Sequence, residues 1–206
     1  MHISEGILSP QALAAGWAIT GVGTAIGLSK LDPDKIVRVA VLSSVFFLAS
    51  LVHLRFGAIS THLSLIAPVG LVLGWSVFPA VLTALLLQAV MLQFGGLLVL
   101  GANTACMALP GLIVYLLFAA QIRAANSTTV AGSLAFVAGA LAVFLAALGA
   151  GALIFISNPD MTGIVKIFLA SNVLLALLEG VVTFFMVGFL KKTAPDILYG
   201  VDKGRS

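Results

Sequence analysis

The chain has 206 residues, 61% of them hydrophobic and only 8% charged, with a formal net charge of +3. Its mean hydropathy is +1.22. Such values lie far outside the range of soluble globular domains and indicate one integral membrane domain, with length for roughly six to eight helical crossings and no separate soluble domain. The ten basic residues are scattered over loops and ends rather than gathered in a patch, which argues against nucleic acid as a partner. The single cysteine, Cys106, excludes an internal disulfide and any CxxC site.

The chain opens Met1-His2-Ile3-Ser4-Glu5-Gly6. The first basic residue, Lys30, follows the first apolar run, so this start lacks the basic n-region of a cleaved signal and is expected to be retained. The bulky His2 is expected to leave Met1 in place. A terminal amine, the amide nitrogen of residue 2 and a His2 imidazole can close a five- and a six-membered ring on one metal ion, and imidazole is the commonest metal ligand. Residues 1–8 are thus a candidate external metal-binding segment; the alternative is an ordinary polar terminus.

Apolar runs separated by polar breaks predict about seven transmembrane helices, near 12–28, 36–54, 62–77, 78–92, 104–122, 130–156 and 164–190. The Lys30-Leu31-Asp32-Pro33-Asp34-Lys35 stretch stops the first, and Arg55-Phe56-Gly57 the second. The segment 94–103 is apolar but so rich in glycine that irregular backbone is expected. A polar tail, 191–206, follows the last helix. The fold class is therefore an all-α membrane protein.

Seven crossings put the two ends on opposite faces. With the N-terminus outside, Lys30, Lys35, Arg38, Arg123, Lys191, Lys192, Lys203 and Arg205 are cytoplasmic, and only Arg55 and Lys166 are external. That bias sets the N-terminus outside and the C-terminus in the cytoplasm. The loop carrying His53 and His62 and the end of the glycine-rich segment, Asn103, then share the external face with His2. One further imidazole would complete a four-nitrogen plane, a geometry that suits Ni(II) or Cu(II), with Co(II) accommodated in others. His62, at a loop-to-helix junction, is the better candidate, and His53 an auxiliary one. Glu5 and Asn103 could accept hydrogen bonds from ligand imidazoles, or serve as an exposed acid and a helix cap. Glu179 lies deep in the last span, where an ionisable group is a functional candidate, with Asn172, Thr183 or backbone as alternative partners. The pairs Ala14/Ala18, Gly23/Gly27 and Gly70/Gly74 suit close helix packing, internal or with a partner. No GxxxxGK[ST] and no HExxH is present, so nucleotide binding by a P-loop and that class of zinc protease are unsupported. No nucleophile and base pair marks an enzyme.

On these residues the chain resembles the CbiM/NikM family, the metal-binding S components of energy-coupling factor transporters for cobalt and nickel. The resemblance covers nearly the whole length. It rests on Met1-His2-Ile3-Ser4-Glu5-Gly6, Ser60-Thr61-His62-Leu63, Phe94-Gly95-Gly96, Leu100-Gly101-Ala102-Asn103 with Met107, and Glu179-Gly180 followed by Pro195-Asp196-Ile197-Leu198. It implies a metal held by the Met1 amine, the His2 amide and imidazole nitrogens and the His62 imidazole, with Ser60, Glu5 and Asn103 around them. It also implies Co(II) or Ni(II) as cargo, a membrane T component, a cytoplasmic ATPase pair, a small accessory membrane subunit in some systems, and residence in the cytoplasmic (inner) membrane. Two departures stand out: many relatives carry asparagine shortly after the matching histidine, where this sequence reads Leu65-Ile66-Ala67-Pro68, and another where it has Cys106. The alternative function is a stand-alone, gradient-driven metal carrier or channel that uses Glu179.

Overall fold

The computed structural model describes residues 3–56 and 59–199. Helix α1, Pro10–Ser29, starts where the Ser9 hydroxyl accepts from Ala12 N–H and Pro10 supplies a preset φ. The Lys30–Asp32 turn then hands over to α2, Pro33–Ala49, which repeats the device with an Asp32 cap and Pro33. The second predicted helix ends early. Residues His53–Phe56 (β1) and Ile59–His62 (β2) instead form an antiparallel hairpin, with His53 opposite His62 and Phe56 opposite Ile59. Aromatic and β-branched residues flanking Gly57 favour strand pairing over two more helical turns.

Helix α3, Ile66–Leu73, is only eight residues long. Gly74, with φ +56°, reverses the backbone through a 3-10 turn into α4, Val77–Leu92. Residues 94–99 are irregular, and α5 starts at Leu100 and runs to Ala124. The predicted irregular segment 94–103 is thus shorter than expected, because Leu100–Asn103 already form helix, with Asn103 N–H donating to Val99 C=O at 2.9 Å. Helix α6, Thr128–Ser157, and α7, Thr162–Thr193, complete the bundle. The short α8, Pro195–Tyr199, is docked rather than trailing free: Leu198 is buried and its carbonyl accepts from Arg123 Nε at 3.0 Å.

Five stretches are long and apolar enough to cross a membrane: Pro10–Ser29, Ile66–Leu92, Leu100–Ala124, Thr128–Ser157 and Pro159–Thr193. The molecule is a multi-pass, essentially all-helical membrane protein. Within Ile66–Leu92 the backbone does not run straight. The Gly74 turn lies beside the C-terminal end of α1, where Gly27 meets Trp75 and Pro79, whereas Gly96, just beyond α4, meets Glu5 near the start of α1. Helix α4 therefore traverses the bundle, and α3 is a half-helix that begins at mid-depth beside Glu179. Non-helical backbone at such a depth requires internal hydrogen-bond partners.

The main core gathers Phe46, Ile66, Phe78, Val81, Met107 and Val114 between α2, α3, α4 and α5. Close approach is made possible by absent side chains: a Cβ on Gly70 would lie 2.3 Å from the Gly111 carbonyl oxygen. Of the predicted small-residue pairs, Gly23 faces the Phe78 ring and Gly27 faces Pro79, so this pair serves internal packing of α1 on α4.

Candidate metal centre

The segment that follows Met1 and His2 is strapped across the bundle end formed by the start of α1, the start of α5 and the α6–α7 junction. Ile3 is buried, its N–H donates to Asn103 Oδ1 at 2.9 Å, and its C=O accepts from Asn103 Nδ2 at 3.0 Å. One side-chain amide thus satisfies both polar groups of one residue, which fixes the strand in position and direction. Glu5 extends the strap: its N–H donates to Gly95 C=O, and its Oε1 accepts from Leu98 N–H at 3.0 Å. Gly96, at φ +131°, leaves room for the Glu5 side chain where any Cβ would sit 2.3 Å from it. Further along, Asn158 Nδ2 donates to Ile7 C=O, and Ser9 N–H donates to Ser157 Oγ at 3.0 Å.

The second arm is the loop between β2 and α3. His62 is 5% exposed. Its Nδ1 lies 3.1 Å from Leu63 C=O. A carbonyl can only accept, so this contact selects the Nδ1–H tautomer and puts the ring's lone pair on Nε2, the form in which imidazole ligates a metal. Immediately after, the backbone enters the half-helix through Leu65 at φ +52°, a left-handed conformation that costs a bulky residue about 1–2 kcal/mol.

What holds Leu65 there is Glu179. Its carboxyl accepts from Ser64 N–H, from Ser64 Oγ at 2.9 Å and from Leu65 N–H at 3.0 Å. Two consecutive N–H groups converging on one carboxyl form an anion nest, placed at the positive end of α3. Glu179 is fully buried in mid-α7. Of the alternative partners expected for it, backbone is the one the structure supplies, from the loop 115 residues away in sequence. Thr183, an expected alternative partner, instead donates to the Glu179 backbone carbonyl at 2.6 Å.

The sequence-predicted residues thus fall into three groups. Asn103, Glu5, His62 and Glu179 are described, and the first two clamp the N-terminal strap while the last anchors the His62 loop. Asn103 is not the cap of α5, whose N-cap is Val99. Met1 and His2 lie outside the described residues. For His53 and Ser60 only the backbone is described, in the hairpin register opposite His62 and Arg55. Among the described residues no three His, Cys, Asp or Glu side chains gather, so any metal site here would rely on other nitrogens. Sequence reasoning missed Ser64, Ser157 and Asn158. A Ser just before an apolar run and the Ser157-Asn158-Pro159 break were the signals available.

The model of the cobalt uptake substrate-specific transmembrane region, CbiM, matches residues 2–197. A Haemophilus influenzae protein provisionally named a metal transport protein is 34% identical, across 96% of this chain and 97% of its own length. The cobalt transport protein CbiM of Sorangium cellulosum is 30% identical, across 96% of this chain and 94% of its own length. The fused nickel transport protein NikMN of Rhodobacter capsulatus is 27% identical, across 96% of this chain and 64% of its own length. A crystal structure of a transition metal transporter shares the fold, with a TM-score of 0.70 at 20% identity, over 93% of both proteins. The chain belongs to the CbiM family of cobalt-uptake substrate-specific transmembrane regions.

Proposed function

We propose that this protein is the capture subunit of an ATP-driven importer for Co(II) or Ni(II). The ion binds at the external face through the Met1 amine, the His2 amide and imidazole nitrogens and the His62 imidazole. The observation that carries the reading is the pair of independent clamps. Asn103 fixes Ile3, one peptide bond from His2, and Glu179 fixes the loop that presents His62. Preorganising two segments lowers the ordering cost of a site whose ligands come from both. The names of the relatives support cobalt or nickel as the cargo.

The apolar runs of the sequence support seven crossings, and the distribution of Lys and Arg over them supports an external N-terminus in the cytoplasmic membrane. With no P-loop in the sequence, ATP hydrolysis falls to a cytoplasmic ATPase pair acting through a membrane T component, with an accessory membrane subunit where the system has one. The engagement of the Glu179 carboxyl by loop backbone favours an anchoring role for it over that of a translocating carrier group. Nickel and cobalt titration of the purified protein tests the proposal. His2→Ala and His62→Ala should each abolish tight binding while the protein stays folded. Undiminished binding by both would refute the site.

A further inference from the structure

The bundle end opposite the strap carries a cavity of about 300 Å³ lined by Lys30, Lys35, Arg38, Arg123, Trp75 and Tyr115, among others. The cations come from the turn after α1, from α2 and from α5, and converge on one space. Lys30 Nζ stands 5.1 Å from the centre of the Trp75 ring, and the Arg123 guanidinium 5.6 Å from that of Tyr115. Lys35 pairs with Asp32 at 2.8 Å, whereas Arg38 has no carboxylate partner among the described residues. Helix α4 starts here with its positive dipole end, no side-chain cap and no acid in its first turn. No acid is among the described side chains that line the cavity.

Trp75 also belongs to a second space. A groove of about 380 Å³ continues from it between α1, α4 and α5, walled by Ile19, Val22, Ile26, Phe78 and Leu109 with other apolar residues. From Ile26 to Ala18 it follows α1 for about 12 Å toward the middle of the membrane. A rule of orientation explains why cations occur at this end. It does not explain why they surround one cavity joined through an indole ring to an apolar slot. A polar anionic head with an apolar tail attached fits both halves, and basic pockets between helices at the cytoplasmic surface bind such heads.

The geometry points to a binding site for an anionic glycerophospholipid, its phosphate among Lys30, Arg38 and Arg123 and one acyl tail along the α1–α4 groove. The site is separate from the metal centre and does not depend on it. The test is native mass spectrometry and lipid titration of the full-length purified protein, with phosphatidylglycerol, phosphatidylcholine and soluble glycerol phosphate as probes. Phosphatidylglycerol should be retained over phosphatidylcholine. The double substitution Lys30→Gln with Arg38→Gln, which removes two charges, should weaken it about thirtyfold. Val22→Trp, which fills the groove, should weaken phosphatidylglycerol but not glycerol phosphate. Nickel binding, measured on the same samples, should be unchanged by all three substitutions and serves as the check on folding. Equal retention of the two lipids, or unchanged phosphatidylglycerol binding in the charge variant, overturns the assignment. Glycerol phosphate binding as tightly as the lipid, with Val22→Trp silent, assigns the cavity to a free phosphate compound and equally overturns it.

Discussion

Replacing Glu179 by Gln changes few atoms but removes the group on which the His62 loop rests. The carboxyl now accepts from Ser64 N–H, Ser64 Oγ and Leu65 N–H. A Gln amide can keep its oxygen at the Oε1 position for Ser64, but it turns its NH₂ toward the Leu65 N–H from which Oε2 also accepts, a donor it cannot satisfy, and it removes the charge. Losing one charge-assisted hydrogen bond costs about 1.5–3 kcal/mol. The left-handed Leu65, which the nest stabilises, adds about 1 kcal/mol of strain that the loop would then release by rearranging. If that rearrangement must be reversed whenever a metal binds, affinity falls by about 2.5–4 kcal/mol, or roughly seventy- to a thousandfold. Nickel titration against a competing chelator measures the loss. Thermal unfolding in detergent, monitored by helix content, separates it from collapse of the bundle. A folded Glu179→Gln protein with wild-type nickel affinity would refute the anchoring role.

The same geometry makes further substitutions informative. Asn103→Leu leaves the buried Ile3 N–H and C=O without their partner, at about 1–3 kcal/mol for each group, and should weaken nickel binding at least tenfold; unchanged affinity would show that the clamp is irrelevant to the site. Gly96→Ala forces a Cβ to within 2.3 Å of the Glu5 side chain at a φ of +131°, so the Glu5–Leu98 bond should break and metal affinity fall by about tenfold, measured in the same titration. Gly70→Ala meets the Gly111 carbonyl, a rigid backbone group, at 2.3 Å; it should lower thermal stability by about 1–3 kcal/mol, and an unchanged melting temperature would contradict the packing. Binding through an amine, a deprotonated amide and two imidazoles requires protons to leave, so affinity should fall as pH falls, by about two log units per pH unit near neutrality. A slope below one, from nickel titrations at several pH values, would contradict amide ligation.

The helices were legible where apolar runs end in unambiguous breaks. Lys30 through Lys35 mark a helix boundary in the sequence as they do in the structure. The hairpin was not legible, because residues 36–54 are mostly apolar and Ser50, which follows Ala49, differs in no visible way from Ser43 and Ser44 inside the helix. Nor was the half-helix: the sequence divides this stretch into helices near 62–77 and 78–92, but Ile66–Leu92 is apolar throughout, and only the backbone shows that the first helix is eight residues long and turns at Gly74. At the site, Asn103 and Glu5 were singled out as polar groups beside the candidate ligands on the external face, and Glu179 because an ionisable side chain at membrane depth needs a reason. Their partners remained hidden. Ile3, Leu98, Ser64 and Leu65 contribute backbone N–H and C=O groups, which every residue here possesses and no sequence pattern singles out. Pairing across 100 residues for Ile3 with Asn103, and 115 for Ser64 with Glu179, depends on packing of the whole bundle.

The central claim is that the protein's own amino terminus is a metal ligand. The most direct measurement compares nickel affinity of the protein beginning at Met1 with that of the same protein carrying a few residues before Met1. The extension converts the terminal amine into an amide and removes one of four nitrogens without touching His2, His62 or the Asn103 clamp. Tight binding should disappear in the extended form and return when the extension is removed by a protease that restores Met1. Equal affinity in the two forms would contradict the claim.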